Sequence, residues 1–458
     1  MIRIDSTLTP AALRSALDRF FALSAQKIQL LEKNWSPEKG TPVFTIEGRY
    51  TSRGWTEWTQ GFQYGSAILQ FAATGDRDAL AIGREGTLKY MASHVSHIGV
   101  HDHGFNNVST YGNLLHLARA GEIAIDEGSH HFYELALKIT GAVQAARWTD
   151  LPEGLGYIYS FNGPHSLFSD TVRSLRALAL SHRLGHVLMG ERDRKISLLT
   201  RLLQHAETTA RYNVYFGTAR DIYDLRGRVV HESIFNTNDG SYRCPSTQQG
   251  YSPFSTWTRG LAWILCGYAE QLEFLATLPD AEFPAAMPKA KVLDRCLETA
   301  LATADFYLEY TPTDGVPYWD TGAPGLVHLG DYLNRPADPF NDHEPVDSSA
   351  AAIAAQGLLR LGRYLQSRQQ TAVGARYFAA GLTVARTIFS EPYLATAPEH
   401  QGLLLHSVYH RPNGWDHVPA GRKVPCGESC LWGDYHAREL ALLLQRCAAG
   451  KYYTFFGF

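Results

Sequence analysis

The chain has no apolar run near the roughly 20 residues that a membrane-spanning helix needs. Its first residues, MIRIDSTLTPAALRSALDRFF, bring acids and polar groups early and hold no apolar segment of signal-peptide length. Cysteine is scarce: six in 458 residues are too few and too scattered for a disulfide framework. These absences predict a reduced, cytoplasmic protein with no membrane partner. Charge of one sign is lacking too. Lys and Arg number 42 against 45 Asp and Glu, a net of −3, which argues against general nucleic-acid binding and leaves a local basic pocket open. No Pro/Gly/Ser linker and no charge block divides the chain, so one domain over 1–458 is expected.

What is present is apolar and aromatic: 45% of residues are hydrophobic and 12% are Phe, Trp or Tyr, enough for a large core. The apolar periodicity is helical and recurs twelve times, near 10–33, 61–74, 77–96, 107–119, 128–146, 166–184, 192–211, 255–276, 289–308, 347–365, 367–389 and 429–448. Asp76 and Asp347 stand where helix N-caps are expected. Twelve helices of similar length without βαβ alternation predict an all-α fold, six helical hairpins in a ring, the (α/α)6 barrel. Ser348–Ala355 is rich in small side chains, as an inner helix pressed by neighbours requires; an ordinary Ala-rich helix reads the same. The intervening stretches 34–60, 97–106, 147–165, 212–254, 309–346 and 390–428 collect Trp, Tyr, His and Gly. Loops of that length are usually functional or disordered, and these are expected to build a pocket over one end of the barrel.

The run Gln249-Gly-Tyr-Ser-Pro-Phe-Ser-Thr-Trp-Thr-Arg-Gly-Leu-Ala-Trp263 places an amide, two indoles and a guanidinium where a loop enters a helix. An indole packs on the C–H face of a sugar, and a guanidinium offers a planar fork to a carboxylate, so Trp257, Arg259 and Trp263 suit an acidic sugar. Trp at helical spacing is, against this, more often core. In His101-Asp102-His103, Asp102 is a candidate acid, metal ligand or loop cap, with His94 and His97 near in sequence. Asp170 opens a helix, where a charge that favours the helix dipole is the plainer reading. Two carboxylates converging in a dry pocket would push their pKa values apart. His231 and Trp58 are a candidate sugar partner and a stacking surface; Tyr318-Trp319-Asp320 and Gly427–Tyr435 are pocket walls or core plugs. Cys426 and Cys430, with His436 following, match no common zinc spacing and read as buried thiols. Arg422 and Lys423 are solvated, or else meet an anionic group on a leaving sugar.

Taken in order, these pieces resemble the unsaturated glucuronyl hydrolases of glycoside hydrolase family 88. They are Trp58-Thr-Gln-Gly-Phe62, His101-Asp-His-Gly-Phe105, Asp170 at the sixth helix, Gln249-Gly-Tyr251 with Ser255-Thr-Trp-Thr-Arg-Gly-Leu-Ala-Trp263, Pro317-Tyr-Trp-Asp320, Asp347-Ser-Ser-Ala-Ala-Ala-Ile353 and Trp432-Gly-Asp-Tyr435. The match runs from about 55 to 440. The resemblance implies the (α/α)6 barrel and hydration of the C4=C5 bond of an unsaturated uronic acid left by a polysaccharide lyase. No metal or organic cofactor is implied. It makes Asp170 the general acid/base and Asp102 the second carboxylate. His101, His231, Gln249 and Arg259 become contacts around the ring, and Trp58, Trp257 and Trp263 aromatic walls. An unsaturated rhamnogalacturonyl hydrolase, an inverting glycosidase on the same barrel and a non-enzymatic acidic-oligosaccharide-binding protein are the alternatives. Departures at His103, Gln248 and the residues after Asp170 bear on the leaving sugar, which stays open, as does the oligomeric state.

Overall fold

A computed structural model describes residues 1–54, 57–452 and 454–456. Among these, twelve long helical segments fall on the twelve periodic stretches. They are α1 (Arg14–Asn34), α2 (Gln60–Thr74), α3 (Arg77–Tyr90), α4 (His103–Asn107 and Asn113–Arg119 around a π-helical turn, Val108–Gly112), α5 (Glu127–Ala146), α6 (Thr171–Ser174 and Arg176–Arg183), α7 (Leu198–Asn213), α8 (Thr258–Thr277), α9 (Lys289–Glu309), α10 (Ser348–Ser367), α11 (Thr371–Ile388) and α12 (Leu431–Ala448). The even-numbered helices touch in a closed ring: α2 on α4, α4 on α6, α6 on α8, α8 on α10, α10 on α12, and α12 back on α2. The odd-numbered helices lie outside them, as α11 does on α10 and α9 on α8 and α10. The predicted (α/α)6 barrel is the observed fold.

Burial follows position. On α8 and α10 almost every side chain is buried, whereas α3 buries Ala79, Gly83, Gly86 and Thr87 and little else. The small residues of α10 serve the close approach expected of an inner helix: Ala350 to Ala355 are all fully buried against neighbours. One apolar cluster reaches from Ile2 to Phe456, with a small satellite of Leu151, Tyr157, Leu167 and Phe235.

The long stretches precede inner helices, and four small antiparallel sheets lie within the segments between helices. One of them matters for the site. Strands β1 (Ser166–Phe168), β2 (Glu232–Phe235) and β3 (Tyr242–Ser246) pair in that order, with Phe168 opposite Glu232. Periodicity did not announce these strands, because strands of three to five residues carry too few side chains to show an alternation.

The barrel axis holds charge. Arg173 and Arg176 of α6 meet Glu270 of α8 and Glu439 of α12 at 2.9–3.1 Å, and Arg360 of α10 joins through Glu270 at 3.8 Å while pairing with Glu273 at 2.7 Å. Burial acts to raise the Glu439 carboxyl, and the Arg176 and Arg173 guanidiniums outweigh it, holding the group down at about 2. A buried ion is tolerable only while its partners stay in place. Glu439→Gln leaves Arg173 and Arg176 to share the single charge of Glu270 and is expected to cost about 3–5 kcal/mol of stability, measurable by urea unfolding. A change below about 1 kcal/mol would show that the network is replaceable.

Candidate active site

The loops before the inner helices converge on one open cleft, about 640 Å³ of empty space with its open mouth included. Its wall combines Trp58, Phe105, Phe161, Trp257, Trp263, Tyr409 and Trp415 with Asp102, Asp170, Gln248, Gln249, Arg259 and His410. Five of the six long stretches singled out in the sequence contribute; 309–346 does not line it.

Asp102 and Asp170 are brought together by the barrel itself. They occupy the N-cap positions of adjacent inner helices, α4 and α6, and neither side chain caps its helix. This is unusual chemistry for the position, since an Asp at an N-cap normally accepts backbone N–H bonds, as Asp76, Asp126 and Asp347 do here. Both carboxylates turn instead to His101, whose Nε2 lies 3.6 Å from Asp102 Oδ1 and 3.5 Å from Asp170 Oδ2. The ring is fully buried and the carboxylates nearly so, at 3% and 8% exposure. Burial alone would lower the His101 pKa, but the two carboxylates outweigh it and raise it. Burial lifts Asp102 to about 6, with Asp170 adding to the rise and His101 opposing it. Burial acts upward on Asp170 as well, but His101 and then His231 overcome it and hold this carboxyl below the usual range. The pair is therefore split, with the proton favoured on the Asp102 side.

Close packing holds the geometry. Gly104 follows two residues after Asp102, and a Cβ there would stand 2.1 Å from the Ser174 carbonyl oxygen of α6. The Gly104 N–H donates to Ser174 Oγ at 2.9 Å, and Ser174 Oγ and Gln144 Nε2 both donate to the His101 carbonyl, at 3.0 and 2.8 Å.

His231 comes from the sheet. The β1–β2 pairing continues into a bond from the Ser169 N–H to the His231 carbonyl at 2.8 Å, which sets the ring beside Asp170. Its Nδ1 accepts the Gln248 and Gln249 backbone N–H groups at 3.0 and 3.4 Å, so the neutral ring carries its hydrogen on Nε2. Burial pushes its pKa down to about 4. His231 and His101 thus stand behind the cleft surface, not on it.

Trp257 and Trp263 are buried, at 3% and 2% exposure, yet both border the cleft, so they are wall and core together. Trp263 packs on Phe105 at 4.8 Å and on His436 at 4.9 Å, and Trp58 stacks on Trp432 at 5.0 Å. Arg259 does not offer the free fork expected of it. Its Nη1 donates to Asp347 Oδ2 at 2.9 Å and the Val408 carbonyl at 2.6 Å; its Nη2 donates to Gln249 Oε1 at 3.0 Å and the Tyr409 carbonyl at 2.9 Å.

Other candidates fall elsewhere. Trp319 is tied to Glu344 through its indole N–H, and Asp320 accepts the Tyr251 and Gly322 N–H groups, so this stretch braces the Gln249–Trp263 loop from outside the cleft. Arg422 donates to the Phe340 carbonyl and lies over that ring, and neither it nor Lys423 borders the cleft. Cys426 and Cys430 are buried free thiols, and the His436 Nδ1 bonds the Trp432 carbonyl. His94 and His97 join no metal-type cluster among the described residues. The one such group there is His101, Asp102 and Asp170 themselves, whose donor atoms lie within 4.8 Å of one another; an imidazole and two carboxylates are a set that a divalent cation or a shared proton can occupy. Phe161, Tyr409, His410 and Trp415 were missed. The last three sit in a loop closed by Asp416, which accepts the Tyr409 and His410 N–H groups, and the Pro412-Asn-Gly414 turn with its aromatic flanks was the available signal.

No family model matches the chain. It is 25% identical over 385 residues to an unsaturated glucuronyl hydrolase of Formosa agariphila, covering 84% of this chain and 78% of that protein. Among solved structures, the unsaturated glucuronyl hydrolase of Bacillus sp. GL1, described as responsible for glycosaminoglycan degradation, superposes with a TM-score of 0.68 at 22% identity, covering 96% of this chain and 99% of that one. The chain is a relative of the unsaturated glucuronyl hydrolases. A further unsaturated glucuronyl hydrolase, described as specific for heparin, gives a TM-score of 0.70 at 20% identity over 95% of this chain and 98% of that one. This likeness agrees with the closed ring of six inner helices as an α/α barrel.

Gly104→Ala is expected to spread α4 and α6 and separate the two carboxylates. The expected cost is about 1–3 kcal/mol of stability and a fall in turnover of roughly a hundredfold or more, read by thermal unfolding and by initial rates on the folded fraction. Full turnover in a folded Gly104→Ala protein would show that the spacing is not critical.

Proposed function

We propose that this chain removes the 4,5-unsaturated uronic acid from the non-reducing end of lyase-generated oligosaccharides by hydrating the C4=C5 bond. The observation that carries this is the split pair of buried carboxylates around one imidazole, in an aromatic cleft of a chain related to the unsaturated glucuronyl hydrolases. In this reading Asp170 is the general acid/base and Asp102 the second carboxylate. The uronate adds a third negative charge beside them, which raises the proton affinity of the group. His101 touches both carboxylates and passes the proton held on the Asp102 side to Asp170.

Asp170 then gives its proton to C4, and positive charge develops at C5 and the ring oxygen. Water adds to C5 and returns a proton to Asp170, restoring the carboxyl. The product is a hemiketal at C5. Its ring opens to a ketone, C1 becomes a hemiacetal, and the leaving sugar departs. Trp58, Trp257 and Trp263 wall the ring, the Gln249 amide is a donor for its oxygens, and His231 backs Asp170 from behind the cleft wall. Proton transfer to carbon needs the acid held in reach and kept dry, which burial of Asp170 supports.

Two observations weigh against an inverting glycosidase on the same barrel. Such enzymes hold their carboxyl groups roughly 6.5–9.5 Å apart to admit water; the nearest Asp102 and Asp170 oxygens lie within 4.8 Å. His101 also fills the space between them. A binding protein would need neither carboxylate. The free state of all six cysteines supports a reducing, cytoplasmic setting, and the near-neutral charge supports a small acidic sugar rather than nucleic acid as partner. No helix among the described residues is long and apolar enough to cross a membrane.

Unsaturated disaccharides from chondroitin, heparin and hyaluronan are expected to lose the absorbance of their conjugated double bond on incubation, while saturated counterparts stay intact. Asp170→Asn should abolish the loss and keep the fold. Constant absorbance across such a panel, or turnover by Asp170→Asn, would contradict the assignment. The pH dependence has a definite sign. The reactive free protein carries the Asp102 proton, present below about 6 and lost above it, so kcat/KM is expected to fall as pH rises from 6 to 8. A rise over that window would place the proton elsewhere.

A further inference from the structure

The substrate of the proposed reaction is an anion, yet the cleft offers it no free arginine fork. Arg259 is the guanidinium on the cleft wall, and the four N–H groups of its two terminal nitrogens are matched by four oxygens of the protein. It is wedged between Trp257 and Trp432, at 4.6 and 5.0 Å from their rings, and is 2% exposed. The contact facing the cleft is Gln249. A guanidinium only donates, so it orients the Gln249 amide unambiguously: Oε1 faces Arg259 and the NH2 group is turned from it. Gln249 is partly exposed on the cleft wall, where that NH2 group is open to a ligand.

Behind Arg259 stands Asp347, fully buried. Its Oδ1 accepts the Ser349 N–H and hydroxyl at 3.0 and 2.5 Å and the Ala350 N–H at 3.4 Å, capping α10. Its Oδ2 faces Arg259. One carboxylate therefore couples the start of α10 to the arginine of α8 and, through it, to the cleft amide. We infer that Asp347 is a positioning residue for substrate: acting through Arg259, it fixes the Gln249 amide so that its NH2 group donates to the carboxylate of the unsaturated uronate.

This rests on the proposed hydration and adds a distinct consequence. The acid group of the sugar is recognised by an oriented neutral amide, while the arginine charge acts at one remove. A neutral donor beside Asp102 and Asp170 also leaves their proton in place, where a free guanidinium would pull it off by favouring both anions.

The test uses the full-length protein and an unsaturated disaccharide that it turns over. Asp347→Asn keeps a capping side chain, since Asn caps a helix as well as Asp, and loses the charge that holds Arg259. KM is expected to rise about tenfold or more, the scale of a lost charge-assisted hydrogen bond, with kcat within about threefold and the kcat pH profile unshifted. A merely structural role would lower the folded fraction and thermal midpoint and leave KM alone. At Gln249 the order of variants is diagnostic. Gln249→Glu should raise KM more than Gln249→Met, because a carboxylate repels the uronate; a hydroxyl-binding Gln249 would reverse the order, since Glu still accepts from O–H. Turnover with unchanged KM in Asp347→Asn, or the reversed order at Gln249, overturns this inference and leaves the hydration reading standing. Absence of turnover in the unaltered protein overturns both.

Discussion

Three ionisable groups share one dry place. His101 Nε2 lies at 3.5 and 3.6 Å from two carboxylates that are themselves within 4.8 Å of each other. In water such groups would ionise independently; here desolvation forbids it, and the trio holds a definite number of protons as a unit. The split this produces, Asp102 up and Asp170 down, comes from the partners each oxygen faces. Asp170 has His101 and then His231 beside it, while Asp102 has His101 as its main stabilising charge and Asp170 against it.

The barrel makes that crowding possible. Two helices whose first residues are acidic must lie side by side, and their N-cap carboxylates must be free of capping. The close approach is provided by Gly104 against Ser174, and the freedom by His101, which draws both side chains away from their helix ends. The N-cap of α10 shows the ordinary alternative, with Asp347 bonded to Ser349 and Ala350. Below the cleft the Arg173, Arg176, Glu270 and Glu439 network ties α6, α8 and α12 together, so the helices that carry the site cannot drift independently.

Much of this was legible in the sequence. Twelve helical periods were readable because long amphipathic or fully buried helices repeat their pattern several times over. The small residues of Ser348–Ala355 marked an inner helix for the same reason that they are there, namely contact distance. Asp102 and Asp170 were legible as candidate paired carboxylates, and only the resemblance gave them their roles. At an N-cap an Asp that caps and an Asp that does not have the same spacing, and the difference lies in where His101 points. Arg259 was read as a carboxylate fork because a sequence shows a donor and not the acceptors it already has; Val408, Tyr409 and Asp347 are 88 to 150 residues away. Tyr409, His410 and Trp415 were passed over for Arg422 and Lys423, since charge is conspicuous in a loop and the Asp416 clamp that aims the aromatics is not.

The central claim is that the carboxylate group delivers a proton to carbon before any glycosidic bond is broken. The most direct measurement is turnover of an unsaturated disaccharide in deuterium oxide, with the released acid examined by NMR early, before keto–enol exchange. The account predicts one deuterium at C4, delivered to a single face, in every product molecule. Release of the sugar with no deuterium at C4, or with the C4=C5 bond still intact in the product, would contradict it.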